Sequence, residues 1–313
     1  MNRSSTANST LEAIGNTPLV KLRKVIAAGG ADVVVKLEYY NPTGSYKDRM
    51  ALAMIEGAER RGALKPGMRV TEYTGGSTGS SLAMICAVKG YPFTPISSDG
   101  FAAEKLLTMR AFGADLQIIP SEGGKLTPEL FRQMRDRAER EAKEPGVYYT
   151  DQFNNGDAVE GYKAMGRELL EQSGGNVSAF CGAVGTAGML VGVSRALRES
   201  LGAVRIVALE PASSPVIRTG KGGAHRVEGV GAGFWPPHLN PGDYDEVRPI
   251  EESEARIMAR RLAKEEGILA GTSTGLNVAA AVKLAAELGP GHTVATAAVD
   301  SGLKYLGGDL YRE

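Results

Sequence analysis

Cysteine is scarce in this chain: Cys86 and Cys181 are the only two among 313 residues. Two thiols cannot build a disulfide framework or a cysteine-based zinc site. Each sits in an apolar run, where a cysteine acts as a small buried hydrophobe. An excess of either charge is also lacking, with 36 Lys and Arg against 36 Asp and Glu, so no net field draws the chain to nucleic acid or an anionic membrane. No apolar run approaches the ~18 residues of a membrane span. Residues 1–10 are polar and lack the apolar stretch of a secretory signal, so a soluble, cytoplasmic protein is expected. Histidine numbers three with no HExxH or paired-His pattern, and no metal is expected. No repeat of fixed period and no low-complexity tract is found.

What is present is length, glycine and alternation. The chain is long for one core and suits two domains. Gly counts 41 of 313, well above the usual share of about 7%, which points to tight turns and close backbone approach to ligands. Short apolar strands alternate with helices. Strands are expected at 33–37, 69–72, 93–97, 116–119, 177–181, 204–210 and 293–299. Helices are expected at 46–61, 80–89, 102–112, 127–144, 157–172, 189–201, 252–266 and 274–288, with 213–241 as loop. This is the pattern of βαβ units and mostly parallel sheets covered on both faces. Pro145-Gly146 interrupts it, and two doubly wound α/β domains with a cleft between them are expected. A smaller domain would span 41–145, a larger one 11–40 and 146–313, and 1–10 would form an arm. Ligands in such sheets bind beyond the carboxyl ends of the strands.

Four turns carry the chemistry. In Asn41-Pro42-Thr43-Gly44-Ser45-Tyr46-Lys47-Asp48-Arg49, Lys47 falls in the first turn of a helix. There the macrodipole disfavours the ammonium and helps the neutral amine that attacks carbonyls; a solvated surface lysine is the bland alternative. Thr74-Gly75-Gly76-Ser77-Thr78-Gly79 joins a strand to a helix and offers N–H groups and hydroxyls to an anion. Gly182-Ala183-Val184-Gly185-Thr186-Ala187-Gly188 is a second such cradle. Its spacing is not the dinucleotide fingerprint, yet Glu210 ends the next strand where a ribose-binding acid would stand, so an NAD-dependent oxidoreductase is a rival reading. Gly271-Thr272-Ser273-Thr274-Gly275 has the form of a hydrolase elbow. Only His292 follows it, nineteen residues after Ser273, with Glu287 as the only acid between, which argues against a Ser-His triad.

These turns, taken with Ile14-Gly15-Asn16-Thr17-Pro18-Leu19, Gln152-Phe153-Asn154-Asn155, Gly229-Val230-Gly231-Ala232-Gly233-Phe234, Glu265 to Gly271 and Asp300-Ser301-Gly302, resemble in content and order the cysteine synthase family. That family comprises pyridoxal-phosphate enzymes of fold type II, related to cystathionine β-synthase and tryptophan synthase β. The resemblance runs from about Leu11 to Leu306. It implies pyridoxal 5′-phosphate bound in the cleft, with Lys47 as the Schiff-base lysine and carrier of the substrate α-proton. Gly185, Thr186, Ala187, Gly188 and Met189 would hold the phosphate, and Ser273 would meet the pyridine nitrogen. Thr74, Gly75, Ser77 and Thr78, with Gln152, would hold the substrate carboxylate, and Ser77 would also lie against the cofactor. A hydroxyl does not keep the pyridine protonated as a carboxylate would, and the weaker electron sink suits β-elimination.

The implied reaction is elimination and replacement on a β-substituted L-alanine (O-acetylserine, serine or cysteine) through an aminoacrylate that accepts sulfide or a thiol. A desulfhydrase or dehydratase is the near alternative, and a non-catalytic cofactor-binding protein a distant one. The family also implies a homodimer. There are departures: Gly75 and Ser77 stand where the family has serine and asparagine, Ala187 and Met189 where it has glycine and threonine, and Tyr73 where it has proline. The first two bear on substrate identity, and Met189 removes one hydroxyl from the phosphate loop. No haem-binding extension or regulatory module is expected.

Overall fold

The computed structural model describes residues 6–125 and 127–312; residues 1–5 of the expected arm lie outside the described residues. Along the chain, β1 (Leu19–Lys21) and β2 (Asp32–Leu37) precede α1 (Lys47–Arg60), β3 (Arg69–Tyr73), α2 (Ser77–Lys89), β4 (Phe93–Ser98), α3 (Ala103–Ala111), β5 (Gln117–Ile119), α4 (Pro128–Glu141) and β6 (Val147–Tyr149). Then come α5 (Gly156–Gln172), β7 (Ala179–Ala183), α6 (Gly188–Leu201), β8 (Arg205–Pro211), the single turn α7 (Val216–Thr219), β9 (Glu246–Ile250), α8 (Glu252–Arg261), α9 (Thr272–Leu288) and β10 (Thr293–Ala298).

Two sheets result. One has six strands in the order β1-β2-β10-β7-β8-β9, and the other four in the order β5-β4-β3-β6. Every pairing is parallel except β1 with β2. The alternation of strand and helix predicted this α/β architecture, because a parallel strand needs a crossover and a helix supplies it. Central strands are buried on both faces, as in β4 and β10, which is why they read as continuous rather than alternating apolar runs.

The sequence-based boundaries shift in places. β6 lies beyond Pro145-Gly146 and pairs with β3 through Val147↔Arg69, so that break sits inside the span of the four-stranded sheet rather than at its end. Three short strands, β1, β6 and β9, were not expected. α2 starts at Ser77 instead of Ser80, and α7 interrupts the expected 213–241 loop. The helix expected to run to Glu266 ends as a π-turn over Leu262–Glu266. Among the described residues, no helix is long and apolar enough to cross a membrane, and no group of three His, Cys, Asp or Glu could hold a metal ion. Both cysteines are free and buried, and burial pushes each thiol up to about 12, so neither is a nucleophile near neutral pH.

Candidate active site

Four helix starts converge at the carboxyl ends of the strands, and Lys47 opens the first of them. Its turn is fixed from two sides. Tyr46 N–H donates to the Val299 carbonyl at 2.9 Å, and Ser301 N–H to the Gly44 carbonyl at 3.0 Å, which staples the turn to the end of β10. Below it lies a buried charge network. Arg49 donates to Glu38 (2.7 and 2.9 Å) and to both oxygens of Glu168 on α5 (2.7 Å each). Lys36, fully buried, reaches Glu168 at 2.6 Å. Burial alone would raise the Glu168 carboxyl, but the bonds and charge of Arg49 and Lys36 outweigh it and hold the group at about 2.

The opening motif completes this network. Thr17 Oγ1 donates to Glu38 at 2.7 Å, and Gly15 N–H to Asn41 Oδ1 at 2.8 Å. Asn41 in turn donates to the Glu38 carbonyl at 2.7 Å. Residues 15–17 and 41–49 therefore depend on one another, because each satisfies polar groups that the other buries.

Lys47 itself is 6% exposed. Its Nζ has only Met50 Sδ at 3.8 Å and the Tyr46 ring at 4.9 Å, with no ion pair among the described residues. Burial lowers its pKa to about 8, against the opposing pull of Asp300 and Glu72. The buried amine is thus close to its nucleophilic form at neutral pH.

The second helix start is α2. Thr74 Oγ1 accepts from Gly76 N–H and Gly79 N–H, both at 3.1 Å. Among the described residues this leaves the N–H groups of Ser77 and Thr78 without a protein acceptor, aimed outward at the positive end of the helix. Ser77 is half-buried, and Thr78 Oγ1 donates to Gln152 Oε1 at 2.8 Å. Gln152 is anchored by Nε2 to the Tyr73 carbonyl at 3.1 Å, and its N–H donates to Glu72 at 3.0 Å. The structure thus gathers Thr74, Gly75, Ser77, Thr78 and Gln152 in one place, but Gln152's amide oxygen already serves Thr78. Gly75 lies flush against Phe101, so that a Cβ there would stand 2.6 Å from the ring. Thr43 Oγ1 lies 3.4 Å from Ser81 Oγ, which sets this helix beside the lysine turn.

The third start is α6, below which Val184 and Gly185 leave β7. Gly185 packs on the Gly229 carbonyl, where a Cβ would stand 2.5 Å from the oxygen. Ala187 is left-handed at φ 68, which explains why a glycine suits the position. The N–H groups of Gly185, Thr186, Ala187 and Met189 meet no protein acceptor among the described residues, and Gly188 N–H reaches only Thr186 Oγ1 at 3.4 Å. Met189's methyl lies against Gly182 inside the core, so it offers the cradle only its backbone. Tyr162 packs on Gly188 and also meets the Tyr46 ring at a tilt, 5.4 Å between centroids, which joins the cradle to the lysine turn.

The fourth start is α9. Ser273 is buried in its first turn, and the next residue, Thr274, accepts from Val299 N–H at 3.0 Å. Ser273 and Lys47 thus flank the same end of β10. The dinucleotide-binding and Ser-His triad readings fail on side-chain commitments. Glu210 accepts from Ile217 N–H (2.8 Å) and Arg218 N–H (3.3 Å) of α7, so its carboxylate is taken by the fold rather than free for a ribose. His292 pairs with Ser178 at 3.1 Å, not with Ser273.

Sequence reasoning missed Glu72. It is fully buried at the end of β3, bonded by Thr150 Oγ1 at 2.5 Å and Gln152 N–H. Burial outweighs those bonds and pushes it up to about 8. Its partners lie about eighty residues away in the chain, and no local pattern marks it. His238 was missed too; its Nε2 donates to the Gln152 carbonyl at 3.2 Å.

A cradle of N–H groups for a phosphate and a buried, unpaired amine for an aldehyde fit pyridoxal phosphate. Residues 10–300 match the family described as pyridoxal-phosphate dependent enzyme. The cysteine synthase of Staphylococcus aureus is 43% identical over 302 residues, 96% of each chain. The crystal structure of a cysteine synthase from Entamoeba histolytica superposes with a TM-score of 0.92 at 34% identity, covering 100% of this chain and 93% of that one. A hydrogen sulfide-producing enzyme from Fusobacterium nucleatum gives 0.88 at 35%, over 96% and 100%. With its site geometry and its relatives in agreement, the chain belongs to the pyridoxal-phosphate dependent enzymes, within the cysteine synthase family.

Proposed function

We propose that the protein is a β-replacing enzyme that converts O-acetyl-L-serine and sulfide to L-cysteine and acetate. The observation that carries this reading is the buried, unpaired Lys47 amine, set between two anion cradles at the starts of α2 and α6, in a chain 43% identical to a cysteine synthase. Bound there, the cofactor supplies a carbonyl for an amine and a sink for the electrons of the substrate Cα–H bond.

The chain's own residues do the rest. Gly185 to Met189 would hold the phosphate through backbone N–H groups and the Thr186 hydroxyl, and Ser273 would meet the pyridine nitrogen. The outward N–H groups of Ser77 and Thr78 bind the substrate carboxylate, and Thr74, by tying down Gly76 and Gly79, keeps them aimed. Lys47 takes the proton from Cα as the Cβ–O bond breaks and acetate leaves with the electron pair. Sulfide then forms the Cβ–S bond, and Lys47 returns a proton to Cα. An amine whose pKa is about 8 can both accept and return that proton near neutral pH.

The departures at Gly75 and Ser77 favour a second reading, in which cysteine is the substrate and sulfide the product; the Fusobacterium relative is described as hydrogen sulfide-producing. The test is to supply the purified holoenzyme with O-acetylserine plus sulfide, and separately with cysteine. Cysteine formation supports the first reading. Sulfide release from cysteine without cysteine synthesis replaces it with the second. We also infer a cytoplasmic homodimer. Val88 and Phe112 are exposed and, with Thr10, Pro42, Met84 and Ala87, line an open apolar groove, an apolar surface suited to a second copy; sedimentation at a monomer's mass would refute the dimer.

A further inference from the structure

Lys105 on α3 is 4% exposed, although it lies outside every motif considered above. Its stem packs on Gly76, where a Cβ would stand 2.3 Å from Lys105 Cδ. It is the middle member of a stripe, Phe101, Lys105 and Met109, that seats against Gly75, Gly76 and Gly79 respectively. α3 and the loop before it thus lie directly on the anion-binding turn of α2.

The ammonium looks the other way. It forms an ion pair with Glu228, 123 residues on in the chain, and lies 4.7 Å from the centroid of the Tyr305 ring. Glu228 is followed by Gly229, whose carbonyl packs on Gly185 of the phosphate cradle. Two residues further, Gly231 N–H donates to the Val184 carbonyl at 2.9 Å. Tyr305 donates to Asp300 at 2.5 Å. The other Asp300 oxygen abuts Gly271, at the start of α9, and Asp300 is bridged through its backbone to Ser45 beside Lys47. A single side chain therefore touches the substrate-side turn directly, and is linked to the phosphate cradle through Glu228 and Gly229 and to the lysine turn through Tyr305 and Asp300.

A partly buried ion pair is a poor source of net stability, since desolvation and screening offset its attraction. What it supplies is a fixed distance. We propose that Lys105 is a positioning residue that sets the α2 turn against the 225–231 segment, so that carboxylate-binding and phosphate-binding N–H groups stand at one spacing across Lys47. This rests on the reading of those two turns as the substrate and phosphate sites.

The test uses the cofactor-loaded enzyme with Lys105→Met, which keeps the stem on Gly76 and removes the charge, and Lys105→Arg, which keeps the charge. Glu228→Gln at the half-exposed partner guards against a Lys105 variant that fails to fold. Two quantities are read: hydrogen exchange of peptides spanning 225–231, and kcat and KM for whichever amino acid the wild type turns over. The expected result is at least tenfold faster exchange at Gly231 in both K105M and E228Q, with no further increase in the double variant. KM should rise about tenfold with kcat within threefold, and K105R should recover most of both. Unchanged exchange at 225–231 in K105M and E228Q overturns the proposal, as does an additive double variant or a fall in kcat at constant KM. Because exchange is read without turnover, a wrong substrate assignment leaves that result standing and is seen separately, as inactivity of the wild type toward O-acetylserine.

Discussion

Restoring the serine that the family carries at position 75 should destabilise this protein. In Gly75→Ser the new Cβ would stand 2.6 Å from Phe101 Cε1 and 3.0 Å from Cζ, so the ring must retreat by roughly 1 Å to reach ordinary contact distance. Phe101 is not free to do so without loss. Its ring meets Phe131 edge-on, 5.9 Å between centroids, an arrangement worth about 0.5–1.5 kcal/mol. Overpacking of this kind costs about 1–3 kcal/mol where the neighbours are rigid. Phe101 is only partly buried, so about 1–2 kcal/mol is expected, which in a chain of this size lowers Tm by roughly 1.5–3 °C. Urea unfolding at fixed cofactor concentration measures it. Phe101→Leu should relieve the clash, so the double variant should be more stable than the sum of the singles by about 0.5 kcal/mol or more. A Gly75→Ser protein as stable as wild type, or strict additivity with Phe101→Leu, refutes the claim that the ring occupies the serine's place.

Lys47→Ala should abolish turnover and the visible absorbance of the bound cofactor; a variant that stays yellow and active removes Lys47 from the mechanism. The cofactor-free protein should gain stability with rising pH. Lys47 titrates near 8 when folded against an ordinary 10.5, so between those values the unfolded chain binds the extra proton, and the penalty for its burial, present below pH 8, is relieved by about pH 10.5. The gain is at most about 3 kcal/mol, and a pH series of urea midpoints should show it in wild type and not in Lys47→Met; parallel curves would contradict the depressed pKa. Ser77→Asn should raise activity on O-acetylserine relative to cysteine, and an unchanged ranking would mean that the α2 turn does not choose the substrate.

The sequence made the frame legible because period and punctuation are local. Val33 to Leu37 reads as a strand, and Gly62, Gly90 and Gly113 end helices at positive φ where only glycine is comfortable. The small-residue turns before α2, α6 and α9 were visible for the same reason. β9 was not, since Glu246-Val247-Arg248-Pro249-Ile250 is a polar edge strand that pairs only with β8. β1 and β6 are three residues each, too short to show a period. The left-handed turn at Ala187 carries no glycine to announce it. The buried charges were the least legible part of the site. Glu72, Lys105 and Glu168 look like surface residues until partners 78, 123 and 119 residues away close over them.

The strand order also constrains how the chain can be made. β2 lies between β1 and β10, and its parallel partner, Thr293–Ala298, is the last strand among the described residues. During synthesis the four-stranded sheet is complete once Tyr149 has emerged, whereas β2 must wait with one edge bare for the remaining half of the polypeptide. At roughly 5–20 residues per second that wait is on the order of ten to thirty seconds. An unpaired, Val-rich edge held that long is a template for other strands. The nascent chain should therefore depend on chaperone shielding of residues 32–37 far more than the finished enzyme does, and substitutions that weaken β10 should reduce soluble yield before they reduce the activity of the molecules that fold.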